Sequence, residues 1–305
     1  MIGINYSKLL YKGLSKRKER LNMAQFTNQA QLSYNNNVTN SNIAVGEILE
    51  VLSATKTAVR GEYGQNDSVT YVISIINSGN IAFTGLTVTD NLGVYTAETT
   101  AFVPLNYIDG TIQYYVNGVL QTAPTVTTGT ELTISNINVP ANGNVILIYE
   151  ARVNQFAPLG VDDSITNEAV ISGSGITPIT VTETVETEDE PFLTITKSIS
   201  PVPVTENGVL TYTFLIQNSG NTPATAADMA VITDTFDPIL TNLSVSFNGT
   251  VWVENVNYTY NETTGEFATI AGQITVPAAT YTQDAETGVW VINPGVSTLI
   301  ISGTV

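Results

Sequence analysis

After residue 22 the chain holds only two lysines, Lys56 in SATKT and Lys197 in TITKS, 141 residues apart. Each is followed by an aspartate in matching surroundings, Asp90 in LTVTD and Asp234 in AVITD. Asn167 lies in ITNEAVI, and a second version of that segment, FTNQAQL, places Asn28 near the start of the chain. Lysine, carboxyl and carboxamide are the ingredients of a spontaneous isopeptide bond. Burial lowers the amine pKa, so a neutral nucleophile is available. The same burial favours a protonated aspartic acid that polarises the amide and moves protons. The amine attacks the asparagine side-chain carbonyl, ammonia leaves, and proximity in a rigid core accelerates the step. Lys56, Asp90 and Asn167 would close the bond within one repeat; Lys197 and Asp234 would need Asn28 from a neighbouring molecule. The ordinary alternatives are an edge-strand lysine that blocks aggregation, a turn-capping aspartate and a strand-end asparagine.

The elements that position these residues are repeats. YVISIINSGN (71–80) matches YTFLIQNSGN (212–221) at the same spacing of 141. Asn117-Gly118 matches Asn248-Gly249, and Val139-Pro140-Ala141 matches Val276-Pro277-Ala278. Val69, Tyr71, Ile73 and Ile75 alternate with polar or smaller residues, as do Leu210, Tyr212, Phe214 and Ile216, which marks strands with one buried face. Short strands separated by Asn-Gly, Ser-Gly-Asn and Pro-Ala turns predict an all-β chain of two tandem immunoglobulin-like β-sandwiches. No long helical period follows residue 22.

Composition narrows the chemistry. The 305 residues carry 27 acids and 10 bases, a formal charge of −17, with no histidine and no cysteine. Thiol and imidazole catalysis, disulfides and metal sites built on those ligands are excluded. The acidity argues against nucleic-acid binding. No apolar run approaches the ~20 residues of a membrane span. The acids Glu186 to Glu190 and the pair Asp162-Asp163 do not form a calcium-loop pattern, so the first group reads as a solvated linker stopped by Pro191. Nothing points to an enzyme, a cofactor or a metal.

The two repeats end differently. The first continues past ILIYEARV (146–153) to ITNEAVI (165–171) and PITVTETV (178–185); the second reaches the equivalent LIISGTV at 299–305. The two further segments have counterparts at the other end of the chain, where Phe26–Leu32 matches ITNEAVI and Asn42–Ile48 (NIAVGEI) matches PITVTET. The expected organisation is a basic leader at 1–22, a donor segment at 23–48, a first sandwich at 49–185, an acidic linker at 186–191 and a second, incomplete sandwich at 192–305. Phe26, Asn28, Ala30 and Leu32 form the inward face of the donor strand. The expected partner is another copy of the chain, joined head-to-tail by strand addition, because a heterologous contact that does not close makes a filament. The alternatives are an N-terminal strand folded onto its own second sandwich, and a piece of a longer array. The leader contains six of the ten bases and lacks the continuous apolar stretch of a secretory signal, so it reads as disordered or processed, or Met23 is the true start.

With SATKTAV, YVISIINSGN, LTVTDNLG, VTNSNIAVGEI, ITNEAVI and LTITKSISP in place, residues 24–305 resemble a family of bacterial surface repeats known only as a domain of unknown function, number eleven. The lysine-first, asparagine-last order is more loosely similar to collagen-adhesin-type isopeptide domains. These resemblances imply tandem β-sandwiches on a bacterial cell or spore surface, hence a fibre or spore-appendage subunit. The other functional class is a monomeric adhesin whose loops bind a ligand; Tyr107, Tyr114, Tyr115 and Trp252 are candidate contacts and equally candidate core residues.

Overall fold

The period-2 segments become strands, and the repeats become two sandwiches of matching strand order. The computed structural model describes residues 23–173 and 175–305; the basic leader lies outside the described residues. A leading hairpin comprises β1 (Met23–Asn28), β2 (Gln31–Tyr34), β3 (Asn37–Asn40) and β4 (Ala44–Leu49). The first module runs through β5 (Leu52–Ala58), β6 (Glu62–Tyr63), β7 (Ser68–Asn77), β8 (Phe83–Asp90), β9 (Tyr95–Ala97), β10 (Thr100–Phe102) and β11 (Leu105–Tyr107). It continues with β12 (Gln113–Val116), β13 (Val119–Leu120), β14 (Thr125–Thr128), β15 (Leu132–Val139), β16 (Gly143–Val153), β17 (Ser164–Ser172) and β18 (Ile179–Thr187). The second module comprises β19 (Leu193–Ser200), β20 (Val209–Asn218), β21 (Thr233–Thr235), β22 (Thr241–Phe247), β23 (Thr250–Val251), β24 (Tyr258–Tyr260), β25 (Glu266–Thr269), β26 (Thr280–Gln283), β27 (Trp290–Asn293) and β28 (Gly295–Thr304). The one helical element among the described residues is a 3-10 turn at Ala226–Asp228.

Strand order shows what the second module shares and what it lacks. One sheet of module 1 is ordered β13-β12-β16-β7-β5, and its counterpart in module 2 is β23-β22-β28-β20-β19. The facing sheet of module 1 is β14-β15-β8-β17-β18-β6, whereas that of module 2 is β24-β25-β21. Within the described residues it ends at β21, where module 1 continues with β17 and β18. Chain segment 299–305 does not sit at a rim, because β28 pairs with β20 on one side and β22 on the other.

The repeat signatures have a structural reason. Buried Asn77 donates from Nδ2 to the carbonyls of Ile81 (2.8 Å) and Pro140 (2.9 Å) and accepts from Gly79 N (2.9 Å). Asn218 repeats this with Thr222, Pro277 and Gly220. One carboxamide thus ties the NSGN turn to the VPA turn in each module and satisfies backbone groups that burial would otherwise leave unpaired. The Asn-Gly pairs at 117–118 and 248–249 have positive φ at both residues and close the β12–β13 and β22–β23 hairpins, as type I′ turns require.

The leading hairpin turns at Asn35-Asn36, both at positive φ, and its described strands pair only with each other. Phe26, Leu32, Tyr34 and Val38 are all more than half exposed. An isolated two-stranded hairpin of this kind has no core of its own and is marginal in water. Its register sharpens the sequence comparison. Asn28 faces Ala44 as Asn167 faces Glu183, an offset of 139 residues on both strands, and the four pairs from Gln25↔Glu47 to Asn28↔Ala44 map onto β17–β18 pairs in this way. The second strand is therefore three residues out of step with the sequence match of 42–48 to 178–184.

The acidic segment is structured rather than a free linker. β18 runs on to Thr187, Glu188 pairs with Arg60, which also bonds Asp67 at 2.7 Å, and Asp189 accepts from Asn221 at 2.6 Å. A second tie comes from an insertion. Where module 1 has only Asn142 between its VPA turn and β16, module 2 places residues 279–294, the β26–β27 hairpin. Its Tyr281 and Ile292 pack on the core of module 1. Gln283 Nε2 donates to Tyr95 Oη (2.8 Å), and Trp290 N donates to Gln155 O (3.0 Å). Gly288, at φ 73°, lies so close to Phe102 that a Cβ would sit 1.9 Å from its ring. Replacing Trp290 with Ala, together with Gly288→Ala, is expected to release this clamp. Small-angle scattering should then show a broader spread of module–module distances; an unchanged profile would mean that the acidic joint alone holds the modules.

Candidate isopeptide sites

In module 1 three strands bring the predicted residues into one buried cluster. Lys56 lies on the inner face of β5, Asp90 ends β8, and Asn167 lies on β17. Lys56 Nζ is 2.7 Å from Asp90 Oδ2, and both side chains are fully buried. Asp90 Oδ1 accepts from Leu92 N (2.9 Å), and Asp90 Oδ2 also accepts from the Tyr149 hydroxyl. Asn167 Nδ2 in turn donates to Tyr149 Oη at 3.5 Å. Lysine, aspartate, tyrosine and asparagine are thereby linked in one network. Lys56 also stands 4.9 Å from the centroid of the Tyr71 ring, which stacks on Tyr149 at 5.6 Å.

Burial is the main cause of the Lys56 pKa falling below its ordinary value, opposed first by Asp90 and then by Glu183 and Glu168. Burial likewise pushes the Tyr149 hydroxyl well above its ordinary value, aided by the charge of Asp90. It does the same to Tyr71, against a smaller opposing pull from Asn167. Two buried polar atoms here lack a hydrogen-bond partner, Asn167 Oδ1 and Tyr71 Oη. Buried polar groups are normally satisfied, so these two oxygens are exceptions within the cluster.

In module 2 the first two residues meet and the third is absent from the site. Lys197 and Asp234 form an ion pair, with side chains 38% and 18% exposed. Lys197 sits over Tyr212 at 4.4 Å, with Phe214 and Phe236 each at 5.5 Å. Asn28 remains in the exposed leading hairpin, as do Phe26, Ala30 and Leu32. Ile301 faces Tyr212 where Tyr149 faces Tyr71, so this site has no counterpart of the Tyr149 hydroxyl.

Tyr149 and Tyr71 were not singled out from sequence. Tyr71 was visible as a repeated position opposite Tyr212, but Tyr149 has no such signal because its partner position holds isoleucine. Of the four candidate ligand-contact aromatics, two are core residues. Tyr114 and Trp252 are buried, and Tyr107 and Val116 pack against the module 1 core. Tyr115 is half-buried in β12.

No family model matches the chain, and a search of curated proteins finds no match. Solved structures that align with the chain include the collagen-binding domain of a Staphylococcus aureus adhesin, at 10% identity, TM-score 0.29, covering 45% of this chain and 97% of that one. The major pilin subunit BcpA of Bacillus cereus aligns at 11% identity, TM-score 0.34, over 89% of this chain and 73% of that one. The pilus backbone protein RrgB of Streptococcus pneumoniae aligns at 12% identity, TM-score 0.33, over 80% and 55%. At these scores the likeness carries no argument.

Proposed function

We propose that the protein is a structural subunit of an extracellular bacterial fibre or spore appendage, not an enzyme, and that it polymerises head-to-tail with itself. The leading hairpin of one copy completes module 2 of the next. The observation that carries this reading is the constant 139-residue offset between β1–β4 and β17–β18, the two strands that the second sheet of module 2 lacks within the described residues. An exposed hairpin with the register of the missing pair is a donor, and the free edge of β21 is its acceptor.

Isopeptide bonds lock the assembly in this reading. In module 1 the proton shared across the Lys56–Asp90 contact moves to the carboxylate and leaves a neutral amine. Lys56 Nζ attacks Asn167 Cγ, the carbonyl oxygen takes up the electron pair, and Asp90 passes protons from the attacking nitrogen to the leaving one. The C–N bond to the amide nitrogen breaks, and ammonia leaves. In module 2 the same step joins Lys197 to Asn28 of the incoming hairpin, with Asp234 carrying the proton. The adhesin alternative loses two of its four aromatic contacts, because Tyr114 and Trp252 are core residues. No nucleic-acid or membrane partner enters this reading.

Electron micrographs of the purified chain and of a chain lacking residues 23–49 test it. Filaments from the first and discrete two-module particles from the second are expected. Particles from both at high concentration, or filaments from both, would contradict it.

A further inference from the structure

The hairpin and the open edge of module 2 fit together in one register. In module 1, β17 lies on β8 with Ala169 opposite Asp90, Val170 opposite Thr89 and Ile171 opposite Val88. Extended along the same arm from residues 25–28, the 139-residue offset puts Ala30, Gln31 and Leu32 at these positions. On the acceptor side Asp90 corresponds to Asp234, and their neighbours on the far strand, Leu132 and Phe267, correspond as well. Resting on the fibre reading above, we propose that the docking unit is the whole two-stranded hairpin of a second copy. Its first strand pairs antiparallel with β21, Ala30 opposite Asp234 and Gln31 opposite Thr233, and β4 lies across the inner face of β19.

Both surfaces are prepared for this contact. Ile165, Asn167, Ala169 and Ile171 point into the module 1 core and are at most 2% exposed. Their counterparts Phe26, Asn28, Ala30 and Leu32 all stand exposed in the free hairpin. The inner pair Ile165↔Val185 becomes Phe26↔Gly46, and the Phe26 ring lies where a Gly46 Cβ would be, 2.3 Å from Phe26 Cζ. One large and one absent side chain replace two of middle size, so the volume offered to the core is nearly conserved. On the acceptor, Ile195 and Ile199 are 50% and 48% exposed beside Lys197. The corresponding face of β5 is covered by β18. Charge fits too: Glu168 and Glu183, which hold the Lys56 ammonium form, become neutral Gln29 and Ala44 next to Lys197.

The chain has no cysteine, so engineered pairs report register directly. In a Lys197→Ala background, where no isopeptide obscures the result, Gln31→Cys with Thr233→Cys places two outward residues face to face. Such pairs lie within disulfide reach, whereas residues two positions out of register are ~7–8 Å apart and are not. Oxidation should give a reducible ladder of multimers from the 31/233 pair and none from Gln29→Cys with Thr233→Cys. Filaments that link through 29/233, or through neither pair, would overturn this register and leave the fibre reading standing. No filaments even from the cysteine-free parent would overturn both.

Discussion

Replacing Asn167 with Ala is expected to lower the melting temperature of module 1 by roughly 10–20 °C. The substitution removes the electrophile and leaves the Lys56–Asp90 pair whole. What it deletes is a cross-link closing a loop of roughly 110 residues, a constraint on the unfolded chain of about 4–5 kcal/mol by the entropy model used for disulfides. The wild-type mass should be short by one ammonia for this bond, and the variant should show no deficit there. Lys56→Ala should be worse than Asn167→Ala, because both lack the bond but only Asn167→Ala keeps Asp90 paired with the Lys56 ammonium, a difference of about 3–5 kcal/mol. Tyr149→Phe keeps the packing and removes the hydroxyl between Asp90 and Asn167. It should slow bond formation without preventing it. Calorimetry and intact-mass spectra check all three; an unmodified wild-type mass with an unchanged melting point in Asn167→Ala would contradict the mechanism.

The second large effect concerns assembly. Boiling in detergent should leave a ladder of multimers from the unaltered chain, and Lys197→Ala should abolish the ladder while filaments persist in native micrographs. The two consequences separate because docking and locking have different physical bases. Phe26, Leu32, Ile195 and Ile199 are each about half exposed before docking. Burying what remains contributes about 3–6 kcal/mol, to which the new strand ladder adds. Such a junction holds in buffer and falls apart in hot detergent; an amide bond does not. Lys56→Ala should leave the ladder intact, since its bond is internal to one module. A ladder surviving Lys197→Ala would place the inter-subunit cross-link elsewhere.

Much of this was legible in residue order because the chain is its own comparison. Matched positions singled out Lys56 with Lys197 and Asp90 with Asp234, and alternation marked the strands that bury them. Legibility failed where the copies differ. The position of Tyr149 is held by Ile301 in the second module, so nothing flagged its hydroxyl. Asn42–Ile48 looked like 178–184 by composition, yet β1 and β4 pair in a register three residues away from that match. In a strand, register is decided by the turn and by which face is buried, not by local similarity. The β26–β27 insertion was invisible for the same reason: it has no counterpart in the first copy, and its role appears only when Tyr281 and Ile292 meet the other module's core. The acidic run looked solvated because its cation, Arg60, lies far away in sequence.

The most direct measurement is a mixing experiment. Nitrogen-15-labelled and unlabelled chains are combined as monomers, allowed to assemble, digested, and the peptide joining Lys197 to Asn28 is weighed. Species in which one half is labelled and the other is not are expected beside the two uniform ones, since in the proposed assembly the hairpin and its acceptor come from different molecules. A joined peptide found only in uniform form would mean that each chain closes on itself, and a Lys197 found unmodified throughout would mean that no such bond forms.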